Sequence, residues 1–308
     1  MRVIFLGTPD FGVPALDALN ANFEVVAVVC QPDRVVSRGK IEYCAVKRYA
    51  LAHDIPVYQF EKVSRDGVET LQNLRPDIMV TAAYGQILSQ EVIDIAPHGI
   101  LNIHGSLLPE LRGAAPIQYA VMQGFTKTGI TILKTVKAVD AGDVLLQREL
   151  DILPYETNGE LFARLSDLGA QCIVEALHAV EDGTAIFTPQ DESKATFCHK
   201  IPAEAEHIDW NMPAAQLVNL VRALSPAPGA WTTYDGKRIK IYALRPAENT
   251  YPQTTPGTIV ECGKKVLAVA CADGAVLVKE LQKENGKRMD VAAFLCGAKL
   301  PVGSKFDL

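Results

Sequence analysis

The stretch Arg2-Val-Ile-Phe-Leu-Gly-Thr-Pro-Asp-Phe-Gly-Val-Pro14 decides the fold class. Val3 to Leu6 is an uninterrupted apolar run closed by Gly7, the pattern of a short strand buried on both faces. Behind it Pro14 suits a first helical turn, where a missing N–H is no loss, with Asp10 as the expected cap and Val13, Leu16 and Leu19 on one face. Val25 to Cys30, Asp77 to Thr81 and Ile100 to Ile103 repeat the apolar run, with helical patterning between them. Strand and helix in alternation predict an α/β fold on a doubly wound, mostly parallel, Rossmann-like sheet. Gly129 to Lys134 and Val144 to Leu150 follow each other across an Asp- and Gly-containing connection, which predicts an antiparallel extension of that sheet.

A long helix is expected from Thr157, where Glu160 completes a capping box and Leu161, Leu165, Leu168, Cys172 and Ala176 recur at spacings of three and four. Beyond it the pattern weakens into the polar run Gln190-Asp-Glu-Ser-Lys-Ala-Thr196. That run predicts a first domain over 1–189, a linker over 190–206 and a second domain over 207–308. In the second, one amphipathic helix, Pro213 to Leu224, precedes five β-rich runs: Ala230 to Tyr234, Arg238 to Ala243, Gly257 to Glu261, Val266 to Cys271 and Val276 to Glu280. Asp235-Gly236 and Asp273-Gly274 supply turns, and strands so short and close predict a small OB-like β-barrel.

With 308 residues, 48% of them hydrophobic, the chain has material for about two packed domains and is neither fibrous nor disordered. No stretch approaches the ~18 consecutive apolar residues of a membrane span, so no membrane partner is expected. The net charge of −6 is uneven: residues 207–308 carry 13 Lys and Arg against 9 Asp and Glu, the remainder 17 against 27. A mildly basic second domain on an acidic body suggests a polyanionic partner for that domain. The seven cysteines contain no C-x-x-C pair and no His neighbours at metal-ligand spacing, so no metal is expected and the thiols are expected reduced. Nothing after Met1 resembles an export signal, and a cytoplasmic location is expected.

Gly7-Thr-Pro-Asp-Phe-Gly12 stands where a dinucleotide-binding protein places G-x-G-x-x-G, but Pro9 replaces the second glycine, which disfavours a nicotinamide enzyme. The strand-end loops of the sheet remain the expected ligand position. Asn102-Ile-His-Gly-Ser-Leu-Leu-Pro109 follows the fourth apolar run, and two-residue spacing puts the Asn102 amide and His104 imidazole on one side of an extended strand. Val139-Asp-Ala-Gly-Asp143, a turn between two expected strands, can bring Asp140 to the same rim to orient and charge-stabilise the imidazole. By themselves these residues also fit a satisfied structural group.

The chain resembles the methionyl-tRNA formyltransferases, through GTPDF at 7–11, QPDR and RGK at 31–34 and 38–40, HGSLLP at 104–109, RGAAPIQ at 112–118 and DAGD at 140–143. Ile208-Asp-Trp210, Arg222 to Trp231 and Leu300-Pro-Val-Gly303 extend the resemblance through the last third. It implies a folate-binding catalytic domain with the formyltransferase version of the Rossmann-like sheet, an OB-like tRNA-binding domain, and 10-formyltetrahydrofolate as co-substrate. The implied reaction formylates the α-amino group of methionine on initiator methionyl-tRNA, with Asn102, His104 and Asp140 catalytic and a monomer expected. Ser106, Leu107, Leu108 and Pro109 are implied folate contacts, with Leu88 a pocket wall, although core packing also explains Leu107 and Leu108. Arg34, Arg38 and Lys40 of the basic loop, and Lys237, Arg238 and Lys240 of the barrel, are expected tRNA contacts; for the barrel cations a solvated surface role fits equally. The loop departs from the proline-rich, more basic form of the family in Val35-Val36 and Ile41-Glu-Tyr-Cys44. Two other readings stand beside this one: a formyltransferase acting on an amino sugar nucleotide, and a noncatalytic folate- or RNA-binding protein. GTPDF and the basic RGK loop argue against the first.

Overall fold

The structure, a computed structural model, describes residues 1–35, 41–251, 254–298 and 300–307. It divides into two compact units, the first comprising Met1–Pro116, Lys127–Asp151 and Phe162–Cys198, the second Ile117–Thr126, Ile152–Leu161 and His199–Leu308.

The first unit is built on strands β1 (Arg2–Gly7), β2 (Glu24–Cys30), β3 (Arg34–Val35), β4 (Ile41–Glu42), β5 (Val57–Gln59), β6 (Ile78–Ala82), β7 (Ile100–His104), β8 (Arg112–Gly113), β9 (Lys127–Lys134), β10 (Val144–Asp151) and β11 (Phe197–Cys198). Seven of them form one sheet in the order β10-β9-β7-β6-β1-β2-β5. The pairs from β7 to β5 are parallel, while β9 and β10 add antiparallel to the β7 edge. Val3, Ile4, Phe5, Leu6, Ile78, Met79 and Val80 have no exposed surface, which is why these strands are uninterrupted apolar runs. After β5 the chain crosses to β6 on the other side of β1, so the order reverses between β1 and β6. Ligands of open α/β sheets bind outside the carboxyl ends of the strands at such a reversal.

Helices α1 (Val13–Asn22), α2 (Ala45–Ala52), α3 (Val63–Asp66), α4 (Val68–Asn73), α5 (Gln90–Ile93), α6 (Pro116–Met122) and α7 (Asn158–Glu181) occupy the connections. Asp10 is not the cap of α1. Asp10–Gly12 forms a separate 3-10 turn and Gly12 takes the cap position without a side-chain bond. Long-range contacts fix that turn: the buried Phe11 ring packs edge-on at 5.3 Å from Phe162, and Ser166 Oγ donates to the Phe11 carbonyl at 2.7 Å. The capping box of α7 is present, with Glu160 N donating to Thr157 Oγ1 at 3.3 Å and Thr157 N donating to Glu160 Oε2 at 2.8 Å. Leu161, Leu165, Cys172 and Ala176 form its buried stripe.

The polar run expected to open the linker is structured. Residues 190–198 belong to the first unit, where β11 pairs in parallel with β8 and Gln190 and Glu192 bind the buried Arg112. Their polarity serves an internal hydrogen-bond network, which composition does not distinguish from solvation.

The second unit contains α8 (Ala214–Ala223), β12 (Ala230–Tyr234), β13 (Lys237–Pro246), β14 (Ile259–Cys262), β15 (Leu267–Cys271), β16 (Gly274–Lys283), β17 (Met289–Asp290) and α9 (Val291–Gly297). Its antiparallel sheet runs β12-β13-β16-β15-β14, with β17 on β16. The C-terminal tail bridges the two outer strands: Asp307 N donates to the Thr233 carbonyl at 3.0 Å, Phe306 N to the Gly257 carbonyl at 2.9 Å and Ile259 N to the Ser304 carbonyl at 2.8 Å. Phe306 stacks at 5.6 Å on Trp210 in the core, and Trp210 Nε1 is satisfied by Thr232 Oγ1 at 3.1 Å. Arg222 binds Asn219 Oδ1 at 2.9 Å and the carbonyls of Glu156 and Val121 at 3.3 and 3.4 Å, so it ties the excursions 117–126 and 152–161 to α8; burial pushes its guanidinium below the usual range.

Candidate active site

Asn102 and His104 lie at the carboxyl end of β7, two residues apart and therefore on one side of the sheet. Asp140 comes from the turn between β9 and β10, in the left-handed region at φ 50°. Gly142 makes that turn possible, because a Cβ there would overlap the Lys134 carbonyl oxygen. The three side chains converge. Asp140 Oδ1 accepts from Asn102 Nδ2 at 3.3 Å, and Oδ2 accepts from Gly113 N at 2.9 Å while lying 3.5 Å from His104 Nδ1. The His104 side chain is 6% exposed and that of Asp140 14%, so both sit largely out of water.

The remaining atoms of these groups are oriented by further partners. His104 Nε2 is 3.0 Å from the Leu111 carbonyl, which only accepts, so Nε2 carries a hydrogen and Nδ1 is the nitrogen turned to the carboxylate. Asn102 Oδ1 accepts from Thr81 Oγ1 at 2.8 Å, which fixes the amide with its nitrogen toward Asp140 and leaves a second hydrogen to offer. Thr81, the next-to-last residue of the buried strand β6, is in register with Asn102. A lone hydroxyl inside an otherwise apolar strand was the sequence signal for it. Gly113, within RGAAPIQ, contributes through its backbone, which no side-chain pattern displays.

The loop after β7 is bonded both to itself and to β9 and β10. Ser106 Oγ donates to the Glu110 carbonyl at 2.6 Å, Thr131 Oγ1 donates to the Ser106 carbonyl at 2.7 Å, and Gln147 Nε2 donates to the Leu108 carbonyl at 2.7 Å. Ser106 and Leu108 are buried, whereas Leu107 and Pro109 keep partly exposed side chains. Leu88 packs in the core cluster with Ile4, Leu6 and Val92.

Of the expected RNA contacts, Arg34 is exposed, and Arg38 and Lys40 lie outside the described residues. At the base of that loop Lys47 Nζ binds Asp33 Oδ2 at 2.5 Å and Gln59 Oε1 at 2.8 Å, and the Lys47 and Gln59 hydrogen bonds hold the Asp33 carboxyl below its usual range. The neighbouring Cys44 thiol and burial push the Cys30 thiol up. In the second unit Lys237 and Arg238 are exposed, with the Arg238 guanidinium 3.9 Å over the Trp231 ring. Lys240 Nζ donates to the Pro228 carbonyl at 2.7 Å. Among the described residues no group of three or more His, Cys, Asp or Glu is placed to hold a metal ion.

Compared with known proteins, residues 1–177 match the formyl transferase family and residues 200–299 the formyl transferase C-terminal domain. A methionyl-tRNA formyltransferase of Acetivibrio thermocellus is 43% identical over 98% of each chain, and that of Agathobacter rectalis 42% identical over the whole of both. Among solved structures, an N-formyltransferase from Helicobacter canadensis, in complex with folinic acid and dTDP-3-aminofucose, shares the fold with a TM-score of 0.70 at 15% identity, over 92% of this chain and 100% of that one. Likeness of this order from end to end, in both domains, places the chain in the methionyl-tRNA formyltransferase family of formyl transferases.

Proposed function

We propose that this chain transfers the formyl group of 10-formyltetrahydrofolate to the α-amino group of methionine on initiator methionyl-tRNA, giving N-formylmethionyl-tRNA for translation initiation. The observation that carries the chemistry is the convergence of Asn102 Nδ2 and His104 Nδ1 on the Asp140 carboxylate at the end of β7. Full-length identity above 40% to methionyl-tRNA formyltransferases supports the acceptor.

The amine attacks the formyl carbon directly. Its reference pKa of about 7.7 to 8.0 leaves an appreciable neutral fraction near pH 7, so no covalent enzyme intermediate is needed. As the new C–N bond forms, the formyl oxygen becomes an oxyanion. The second hydrogen of Asn102 Nδ2 is the donor for it, a contact of a kind worth roughly 3 to 4 kcal/mol. Collapse breaks the bond between the formyl carbon and the folate nitrogen. The attacking nitrogen loses one proton and the leaving nitrogen gains one, and His104 Nδ1 beside Asp140 is the relay. The burial of both groups strengthens their interaction relative to water.

Leu107 and Pro109 are the folate-facing members of the loop after β7, with the buried Ser106 and Leu108 holding its shape and Leu88 a wall of the folate pocket. Exposed cations at Arg34, Lys237 and Arg238 supply phosphate contacts that position tRNA without reading sequence. The first unit is the folate-binding catalytic domain and the barrel the tRNA-binding domain, working as a monomer in the cytoplasm; among the described residues no helix is long and apolar enough to cross a membrane.

The test is transfer of labelled formyl from 10-formyltetrahydrofolate to initiator methionyl-tRNA by the purified protein, with elongator methionyl-tRNA, a dTDP-amino sugar and the Asn102→Ala variant alongside. Transfer that prefers initiator tRNA and is lost in Asn102→Ala is the expected result. Transfer to the sugar nucleotide alone would overturn the acceptor, and tRNA and folate binding without turnover would overturn the enzyme.

A further inference from the structure

Asp140 is gripped by its backbone as well as by its carboxylate. Gln190 Nε2 donates to the Asp140 carbonyl at 2.8 Å and to the Gly142 carbonyl at 2.7 Å, which uses both amide hydrogens on one turn. Gln190 Oε1 accepts from Arg112 Nε at 3.1 Å and Nη2 at 2.7 Å. Arg112, with a side chain only 3% exposed, is paired on its other edge with Glu192 at 2.7 and 2.9 Å, and that pairing pushes the guanidinium further up. The residue after Arg112 is Gly113, whose N–H binds the Asp140 carboxylate. One guanidinium thus anchors both the strand that meets the carboxylate and the amide that holds its backbone.

The turn needs such a grip. A residue with a side chain is disfavoured at φ 50°, and a small rotation there would swing the carboxylate away from His104 Nδ1 and Asn102 Nδ2. Only an amide side chain meets the demands made at position 190, donating to two carbonyls at one end and accepting from a guanidinium at the other. A glutamate of the same shape would present carboxylate oxygens to carbonyl oxygens.

We propose that Gln190, oriented by Arg112, is a positioning residue that sets the rate of formyl transfer by holding the Asp140–Gly142 turn in its reactive arrangement. The proposal rests on the formyl-transfer reading above. Gln190→Glu lowers kcat about 30-fold, as misplacement of a reacting group does, while KM for folate and tRNA stays within about twofold. Arg112→Lys, which keeps the charge but loses the fork, moves kcat in the same direction. In an Asp140→Asn background Gln190→Glu adds no more than about twofold, because its effect passes through Asp140. A residue that merely stabilises the fold would lower the melting temperature and multiply its loss equally in both backgrounds; that result, or wild-type kcat in Gln190→Glu, overturns the proposal.

The His104 ring nitrogens, followed by NMR on 15N-histidine-labelled protein without any substrate, give a readout independent of turnover. Their resonances shift in Gln190→Glu and stay in place in a Lys194→Gln control; unchanged resonances in Gln190→Glu overturn the proposal. A wild-type protein that transfers no formyl group to any acceptor would sink the functional reading alone, with the NMR result still deciding whether Gln190 acts on Asp140 and His104.

Discussion

The Asn102–His104–Asp140 cluster and the exposed cations Lys237 and Arg238 of the second unit differ in how their side chains are held. In the cluster both nitrogens of His104, both atoms of the Asn102 amide and both oxygens of Asp140 face named partners, and the backbone beneath Asp140 is itself clamped. Lys237 and Arg238 stand exposed, and Arg238 is steadied by an aromatic ring rather than by directional bonds to acceptors. Bond-making needs groups held near the reacting geometry, whereas a polyanion needs density of charge and tolerates side chains that move. On the proposed function, the over-determined polar groups would carry the chemistry and the loosely held cations the electrostatic attraction to RNA.

Substitutions in the two regions should differ in kind as well as in size. The largest effect is expected at the cluster, where His104→Ala and Asp140→Ala each cut turnover at least ~100-fold while far-ultraviolet circular dichroism stays unchanged. Rates near wild type in both would break the comparison at its base. A smaller effect, of another kind, is expected from Lys237→Ala with Arg238→Ala: kcat survives, the apparent KM for tRNA rises, and the slope of log affinity against log salt flattens by roughly one for each phosphate that is no longer neutralised. A slope equal to that of the wild type would remove these cations from the RNA-binding surface.

The smallest effect is expected at the start of α7, which is exposed like the cations yet locked by geometry like the cluster. Removing the cap with Thr157→Ala costs about 1 kcal/mol in urea unfolding at pH 7. The Glu160 carboxyl is held below its usual range by the backbone N–H and hydroxyl of Thr157. A depressed carboxyl stabilises the fold above its unfolded pKa of about 4.3 and ceases to do so as pH falls through the lower folded value, so the gap between variant and wild type narrows in acid. A gap that widens there would show that Glu160 does not take part.

Much of the fold was legible because burial leaves a period in the chain. Val3 to Leu6 and Ile100 to Ile103 gain a residue at one or both ends in β1 and β7, and Ala230 to Tyr234 keeps its ends in β12. The same-side placement of Asn102 and His104 followed from two-residue spacing. Gln190 was invisible for a physical reason: its partners, Asp140, Gly142 and Arg112, lie about 50 to 80 residues away in sequence, and a glutamine in a polar run looks the same whether it faces water or a buried carbonyl. Asp10 misled for the mirror reason, since a local capping pattern was overridden by the packing of Phe11 on Phe162.

The parallel sheet, the antiparallel extension, the small second domain and the same-side placement of Asn102 and His104 could all be read from the chain's own pattern. Tertiary structure alone decided which nitrogen of His104 meets Asp140, that Thr81 sets the Asn102 amide, that the polar run after α7 clamps the Asp140 turn, and that residues 304–307 bridge the outer strands of the barrel. Burial is written locally, in the spacing of apolar side chains, whereas a hydrogen bond between distant residues exists only once the chain has brought donor and acceptor within 3 Å or so.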